Sequence, residues 1–214
     1  MTYYTVDATV WATNIFTNSD LIYAFFADNY LEDEDAAWDA MKRANRGEPL
    51  PVERFPREMY VMSQYNKYKK LPHIFKAGGF WVVSQRFAEV LRRFELGKTA
   101  LYPVRLFQHD RTTPFDGEYF CLAFGETQDT FVPEESPRIR KVPFRKTDIW
   151  EPKHTDNDYG LAFEKTVLQG VDLWMDKKME DVFFLSDRLY QDLNAEKLAK
   201  PLAPYRCRVV SNRH

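Results

Sequence analysis

The chain is poor in the residues from which disulfide frameworks, metal centres and membrane spans are built. Its 214 residues include two cysteines, Cys121 and Cys207, and four histidines. No histidine has metal-ligand spacing to another histidine or to a cysteine. No run approaches the roughly 18 apolar residues of a membrane span, and the first residues lack the basic and apolar segments of a signal peptide. The sequence therefore predicts a cytoplasmic protein without a metal site.

Both cysteines lie in predicted strands with apolar neighbours. We therefore expect free, buried thiols, because nothing in the sequence indicates the oxidising compartment that a disulfide needs. A disulfide between Cys121 and Cys207 is the alternative.

An excess of one charge is also missing. Thirty Lys and Arg residues stand against 32 Asp and Glu residues, which gives a formal net charge of −2. Without a strong overall field, neither nucleic acid nor an anionic membrane is expected as a partner. Hydrophobic residues make up 44% of the chain and aromatic residues 16%, so the sequence predicts a globular protein that buries many rings.

Recognisable reaction centres are absent as well. The chain contains no glycine-rich phosphate loop, zinc-protease motif, nucleophile elbow or CxxC pair. Cys121 with His109 or His154 is a conceivable nucleophile and base, but Cys121 lies inside an apolar strand, where core packing is the simpler interpretation. Carboxylates are plentiful, yet no pair of them stands out. We predict no catalytic, metal-binding or cofactor-binding residue; a small cytosolic hydrolase or transferase with an unidentified carboxylate site is the alternative.

The clearest structural signal is a strand–helix–strand unit in the middle of the chain. A buried strand at 80–83 is followed by Ser84, a favourable helix N-cap, and by a second strand at 101–107. Gly97 is expected as the residue that ends the helix. The helix between the two strands carries one stripe of apolar side chains: Phe87, Val90, Leu91 and Phe94.

A similar unit follows near the C-terminus. Residues 183–189 align with residues 81–87 without a gap, so that Ser186 corresponds to Ser84, and residues 205–210 supply the following strand. We interpret this as a duplicated strand–helix–strand unit whose two Ser-capped helices pack on one sheet. Two unrelated capped helices are the alternative.

The remaining segments predict an α+β fold with a mixed or mainly antiparallel sheet and a helical N-terminal part. A strand is expected at 3–12, and residues 21–26 fit either a strand or a helix. A strand at 118–124 should pair antiparallel with the one at 101–107. No linker divides the chain, so we expect a variable N-terminal part at 1–75 packed on a core at 76–214.

An acidic run opens a predicted helix that extends to about Asn45, with Trp38 and Met41 on its apolar side. The run consists of Glu32, Asp33, Glu34 and Asp35, with Asp39 one turn later. Carboxylates in a first turn are stabilised by the helix dipole, so one interpretation is that these residues only stabilise the start of the helix. An acidic patch for a basic partner is the other.

Several strings resemble immunity family eleven of the bacterial polymorphic toxin systems, long filed as a domain of unknown function. The resemblance covers residues 76–210, and Lys200-Pro201-Leu202 departs from it where a glycine would end the second helix. The strings are Gly79-Phe80-Trp81-Val82-Val83-Ser84, Tyr102-Pro103-Val104, Tyr119-Phe120-Cys121-Leu122, Phe131-Val132-Pro133-Glu134, Asp172-Leu173-Trp174 and Phe183-Phe184-Leu185-Ser186-Asp187.

The resemblance implies a non-enzymatic immunity protein that binds and neutralises a cognate secreted toxin, for example one delivered by type VI secretion. Tight inhibitors bind through a few buried aromatic or arginine anchors, and complementary charge raises their association rate. Under this interpretation the acidic run, Glu32 to Asp35 with Asp39, is the expected toxin-binding site. A generic protein-interaction domain is the remaining alternative, and oligomeric state cannot be read from the sequence.

Overall fold

The computed structural model describes residues 9–14, 21, 24–65, 68–143, 147–153, 158–179 and 182–210. The helices in this part are α1 (Asn29–Glu32), α2 (Glu34–Ala44), α3 (Gln85–Leu91) and α4 (Asp187–Ala195). The strands are β1 (Val10–Ala12), β2 (Phe25–Ala27), β3 (Glu58–Val61), β4 (Ile74–Ala77), β5 (Phe80–Ser84), β6 (Ala100–Phe107), β7 (Tyr119–Ala123), β8 (Thr127–Gln128), β9 (Ile139–Lys141), β10 (Trp150–Pro152), β11 (Ala162–Glu164), β12 (Leu173–Asp176), β13 (Phe184–Ser186) and β14 (Tyr205–Val210). Short 3-10 helices lie at Val52–Arg54, Pro133–Glu135, Lys165–Gln169 and Lys200–Leu202.

The strands form two six-stranded sheets and one two-stranded ribbon, β9–β10. Sheet I has the order β11-β14-β1-β13-β12-β8, and sheet II has the order β2-β3-β6-β7-β5-β4. The α+β prediction is confirmed, as is the antiparallel pairing of β6 with β7. The prediction that both Ser-capped helices share one sheet is wrong: α3 follows β5 of sheet II, whereas α4 follows β13 of sheet I. Each helix follows an antiparallel hairpin, β4–β5 or β12–β13. The β4–β5 hairpin pairs with β7 and the β12–β13 hairpin pairs with β1, so the two hairpins belong to different sheets.

Both helices begin at a serine whose environment is the same in the two sheets. The hydroxyls of Ser84 and Ser186 each accept a hydrogen bond from the backbone N–H three residues later. Their own N–H groups donate to the carbonyl of the residue that precedes the hairpin, His73 at 3.0 Å and Asp172 at 2.9 Å. Each hydroxyl also hydrogen-bonds the side chain of that same residue. The serine therefore joins the helix start to the first strand of its hairpin.

Five strands of each sheet have the same order and orientation. In sheet II the sequence β4-β5-β7-β6-β3 contains three antiparallel pairs and then one parallel pair. In sheet I the sequence β12-β13-β1-β14-β11 repeats this arrangement. The difference lies in connectivity, because β7 follows β6 along the chain, whereas β1 comes from the N-terminal end. Residues 3–8 of the predicted first strand lie outside the described residues.

The main core lies between the two sheets and contains both α3 and α4. It joins residues of both halves, and Trp81 meets Phe183 edge to face with ring centroids 5.1 Å apart. A second core lies on the other face of sheet II beneath α2, and a third belongs to sheet I. Both cysteines are buried and free, as predicted. No helix in the described residues is long and apolar enough to cross a bilayer.

Helix α2 is held against sheet II at the tight turn between β4 and β5. Gly78 and Gly79 form this two-residue turn with φ of +52° and +81°, values that favour glycine. A Cβ at Gly79 would overlap Met41 Sδ of α2. Asn45, which caps the end of the helix, donates its side-chain N–H to the Gly79 carbonyl at 2.9 Å. The turn thus fixes the position of the whole acidic helix.

The two Ser-capped helices end differently from the sequence-based prediction. Helix α3 stops at Leu91, so the expectation that Gly97 ends it is wrong; Gly97 has φ of +58° in a later turn beside Glu126. Helix α4 ends in a Schellman motif without glycine. Lys197 takes the left-handed position with φ of +60°, and the Leu198 N–H donates to a carbonyl five residues earlier at 2.7 Å.

Candidate functional site

The acidic run is gathered at one exposed helix start. Glu32 ends α1, and Asp33 is the N-cap of α2, where its carboxylate accepts a hydrogen bond from the Ala36 N–H at 2.9 Å. Glu34 and Asp35 lie in the first turn. All members of the run are exposed, including Asp39, which forms an ion pair with Arg43 at 3.5 Å. Asp33 therefore stabilises the start of the helix, while the side chains of the other carboxylates are exposed.

Trp38 does not lie on the apolar side of α2, so that prediction is wrong. Its side chain is 44% exposed, and the face of the helix that packs on sheet II consists of Ala37, Ala40 and Ala44. These small side chains let the helix approach the sheet closely, and the indole one residue further round the helix then points outwards. Lys42 Nζ lies 5.9 Å from the centre of the Trp38 ring.

Trp38 is the first member of a line of neighbouring rings, which we call the aromatic row: Trp38, Tyr30, Phe26, Tyr60 and Phe107. The Trp38 and Tyr30 rings meet edge to face at 5.7 Å. Tyr30 and Phe26 are also 5.7 Å apart, and Phe26 lies 5.5 Å from Tyr60. Tyr60 is paired in register with Phe107 on the next strand. The row therefore runs from the acidic helix across β2, β3 and β6.

The strand part of the row occupies one face of the sheet II edge. Successive side chains of a strand point to opposite faces. Phe25, Met59 and Leu106 point into the second core and are at most 3% exposed. Their neighbours Phe26, Tyr60 and Phe107 point the other way and remain partly exposed. At the β5–β7 end this outer face is buried in the main core, so the open part is confined to β2, β3 and β6.

Two arginines lie over rings at the far end of the row. The Arg111 guanidinium is 3.9 Å from the centre of the Tyr60 ring, and Arg105 is 5.7 Å from that of Phe107. Arg105 also forms an ion pair with Glu58. Arg111 has φ of +59°, a left-handed conformation that is unfavourable for a residue with a side chain. The row thus has an acidic end at α2 and a basic end at β6.

The loop that carries Arg111 also lines an open cavity of about 620 Å³. In this loop, His109 Nδ1 lies 3.1 Å from the Val61 carbonyl oxygen. Hydrogen bonds from the Thr113 hydroxyl and from the backbone N–H groups of Thr113 and Thr112 lower the pKa of Asp110 to about 2. Asp110 is therefore ionised at neutral pH, and its carboxylate is engaged within its own loop. The lining residues are Gln64, Tyr68, Lys69, Gln108, His109, Asp110, Pro114, Phe115 and Asp116.

Cys121, the conceivable nucleophile, is not brought to a surface. Cys121 is fully buried, and burial raises the pKa of its thiol, so the reactive thiolate is disfavoured. The core-packing interpretation of Cys121 is confirmed. His154 lies outside the described residues. Among the described residues, no group of three His, Cys, Asp or Glu side chains is placed to hold a metal ion.

Sequence reasoning missed most of the aromatic row. Residues 21–26, which include Phe26, fit either a strand or a helix; no strand is predicted around Tyr60, and Phe107 is predicted only as the last residue of a strand. The signal available was the alternation in Glu58-Met59-Tyr60-Val61, which marks Met59 and Val61 as one face and leaves Tyr60 on the other.

The family model described as Immunity protein family (Imm11) matches residues 2–205, and thus also covers residues 2–75, which lie outside the resemblance at residues 76–210. No curated protein matches the chain.

Proposed function

The chain belongs to the Imm11 immunity protein family, and we propose that it neutralises a cognate secreted toxin by binding to it. The observation that carries the proposal is the extent of the family match, from residue 2 to residue 205. An exposed aromatic surface beside a charged helix is consistent with a protein that acts by contact. The proposed place of action is the cytoplasm of the cell that makes the toxin or of its sister cells, and type VI secretion is one proposed route for the toxin.

We assign the acidic run the role of attracting the toxin. Five carboxylates on one exposed helix start create a local negative potential in a protein whose net charge is only −2. Such a potential increases the association rate with a basic partner and weakens as salt increases. A fast association rate is useful here because the toxin must be bound before it acts.

Co-expression tests the function directly. The toxic domain of the proposed cognate toxin, sought in the neighbouring gene, is expressed in a sensitive host with and without this protein. Survival only in its presence supports the proposal, and equal killing refutes it. A turnover assay on the purified protein separates the remaining alternative, because an activity abolished by mutating a single carboxylate would indicate an enzyme instead.

We further propose that the two hairpin–helix units, β4-β5-α3 and β12-β13-α4, arose by duplication, and that β1 occupies in sheet I the place of β7 in sheet II. The shared strand order and the shared serine contacts support this. Residues 1–75 then form a variable part packed on a core at 76–214, with β1 as its link to sheet I. In a circular permutant whose residues 214 and 1 are joined by a flexible linker and whose chain is opened at the exposed Gly117, β1 follows β14 along the chain as β7 follows β6. This permutant should fold, and failure to fold would refute the proposal.

A further inference from the structure

We propose that the aromatic row is the docking surface for the toxin, and that arginine and lysine side chains of the toxin lie against its acidic end. This inference rests on the proposed function. It adds a surface, a contact chemistry and an orientation, which membership of the family does not supply.

Exposed apolar side chains are concentrated in the part of the sequence that carries four of the five rings of the row. Among the described residues, seven large hydrophobic side chains are exposed, and five of them lie between residues 31 and 65. Leu31 (63%) and Trp38 (44%) lie at the acidic end, and Met62 (52%) follows Tyr60 by two residues. Scattered single exposed residues are normal, but a cluster that continues into partly exposed rings indicates a contact surface.

The row is also built to bind without reorganisation. Three of its rings are carried by paired strands, and their ring-to-ring contacts fix the side chains before a partner arrives. Rigid aromatic side chains lose little conformational entropy when they are buried at an interface, which is why they dominate interface energetics.

Charge complementarity defines the partner at the acidic end. Asp35, Trp38, Asp39 and Lys42 lie three or four residues apart and therefore share one exposed side of α2. The Asp35 carboxylate lies one turn from the indole on this side of the helix, an arrangement that attracts a cation both to the ring face and to the neighbouring charge. Lys42 Nζ already lies 5.9 Å from the ring, which shows that this position accepts an ammonium group. A toxin arginine or lysine would displace the Lys42 ammonium group and take this position.

The experiment measures binding of the full-length protein to the purified toxic domain of the proposed cognate toxin. The contact variant carries Leu31→Ala and Trp38→Ala, both at exposed positions. Its matched control carries Tyr159→Ala and Leu168→Ala, which are 48% and 41% exposed and lie outside the aromatic row. We expect the contact variant to lose about 30-fold or more in affinity, as for an aromatic anchor of an interface, and the control to bind like the wild type.

A charge variant provides a second, independent measurement. It carries Glu32→Gln, Asp33→Asn, Glu34→Gln, Asp35→Asn and Asp39→Asn, in which Asn retains the N-cap function of Asp33. Its control neutralises five exposed carboxylates elsewhere: Glu89, Glu118, Asp129, Glu134 and Asp148. We expect the charge variant, but not its control, to associate more slowly and to lose most of the salt dependence of the association rate.

The outcomes are distinguishable. If the wild type binds the toxic domain and the contact variant, folded by circular dichroism, binds equally well, the aromatic row is not the docking surface, although the proposed function stands. If the wild type is a dimer that the contact variant converts to a monomer with toxin binding unchanged, the row is a self-association surface and the proposal is overturned. If the wild type does not bind or protect at all, the proposed function itself fails.

Discussion

The buried carboxylate of Asp172 provides a quantitative test of how the two halves are connected. Its side chain is 2% exposed and accepts hydrogen bonds from the Glu95 N–H at 2.9 Å, from the Ser186 hydroxyl and from two nitrogens of Arg188 at 2.6 Å each. Glu95 follows α3, whereas Ser186 and Arg188 begin α4. One side chain therefore connects the segment after the first helix to the start of the second.

The expected cost of Asp172→Ala follows from these partners. Arg188 is 67% exposed, so its guanidinium can return to water and its loss from the pair costs little. The Glu95 N–H and the Ser186 hydroxyl lose a charged acceptor, worth about 1.5–3 kcal/mol each, and relief of carboxylate desolvation offsets part of this. We expect a loss of about 3 kcal/mol in the free energy of unfolding, which is roughly 6–12 °C in Tm for a chain of this size.

Thermal and urea unfolding followed by circular dichroism measure this loss. Asp129→Ala is the matched control, because Asp129 is paired with Lys178 at 2.9 Å but its side chain is 51% exposed. That variant should lose less than about 1 kcal/mol, as exposed pairs do. Arg188→Ala should fall between the two, since Asp172 then keeps two of its donors. Equal losses for Asp172→Ala and Asp129→Ala would refute the reasoning.

Three further predictions follow from the described contacts. Lys197→Gly should raise the free energy of unfolding by about 0.5–1 kcal/mol, because glycine relieves the left-handed strain at the end of α4; a lower Tm would contradict this. Burial, aided by the neighbouring cations Arg86 and Lys70, lowers the pKa of His73. Below about pH 6.5 the unfolded chain therefore binds the proton first, and the free energy of unfolding decreases as the pH is lowered. His73→Gln should flatten that part of the Tm profile against pH, and an unchanged slope would exclude His73 as its cause. Burial raises the pKa of Cys121 and Cys207, so neither should react with a thiol reagent until the protein is unfolded; rapid labelling of the native protein would show that the sites open.

At the candidate site the sequence predicts where the helix begins but not which of its side chains are exposed. The acidic run predicts a helix start because first-turn carboxylates are a local signal, and α2 begins there. The same sequence predicts the wrong face for Trp38, because a large apolar residue usually marks the buried side of a helix. The helix instead packs through alanines, a choice set by how closely the β4–β5 turn lets it approach.

Local sequence alone determined the strands at 101–107 and 119–123, their antiparallel pairing, and the segments on either side of Ser84 and Ser186. These features depend on hydrogen bonds and side-chain periodicity within a few residues, so each segment carries its own signal. Which sheet each hairpin joins, the position of β1 between β13 and β14, and the alignment of Phe26, Tyr60 and Phe107 were decided only by tertiary structure. Strand partners distant in the chain are selected by the burial that the whole fold achieves, and no short segment contains that information.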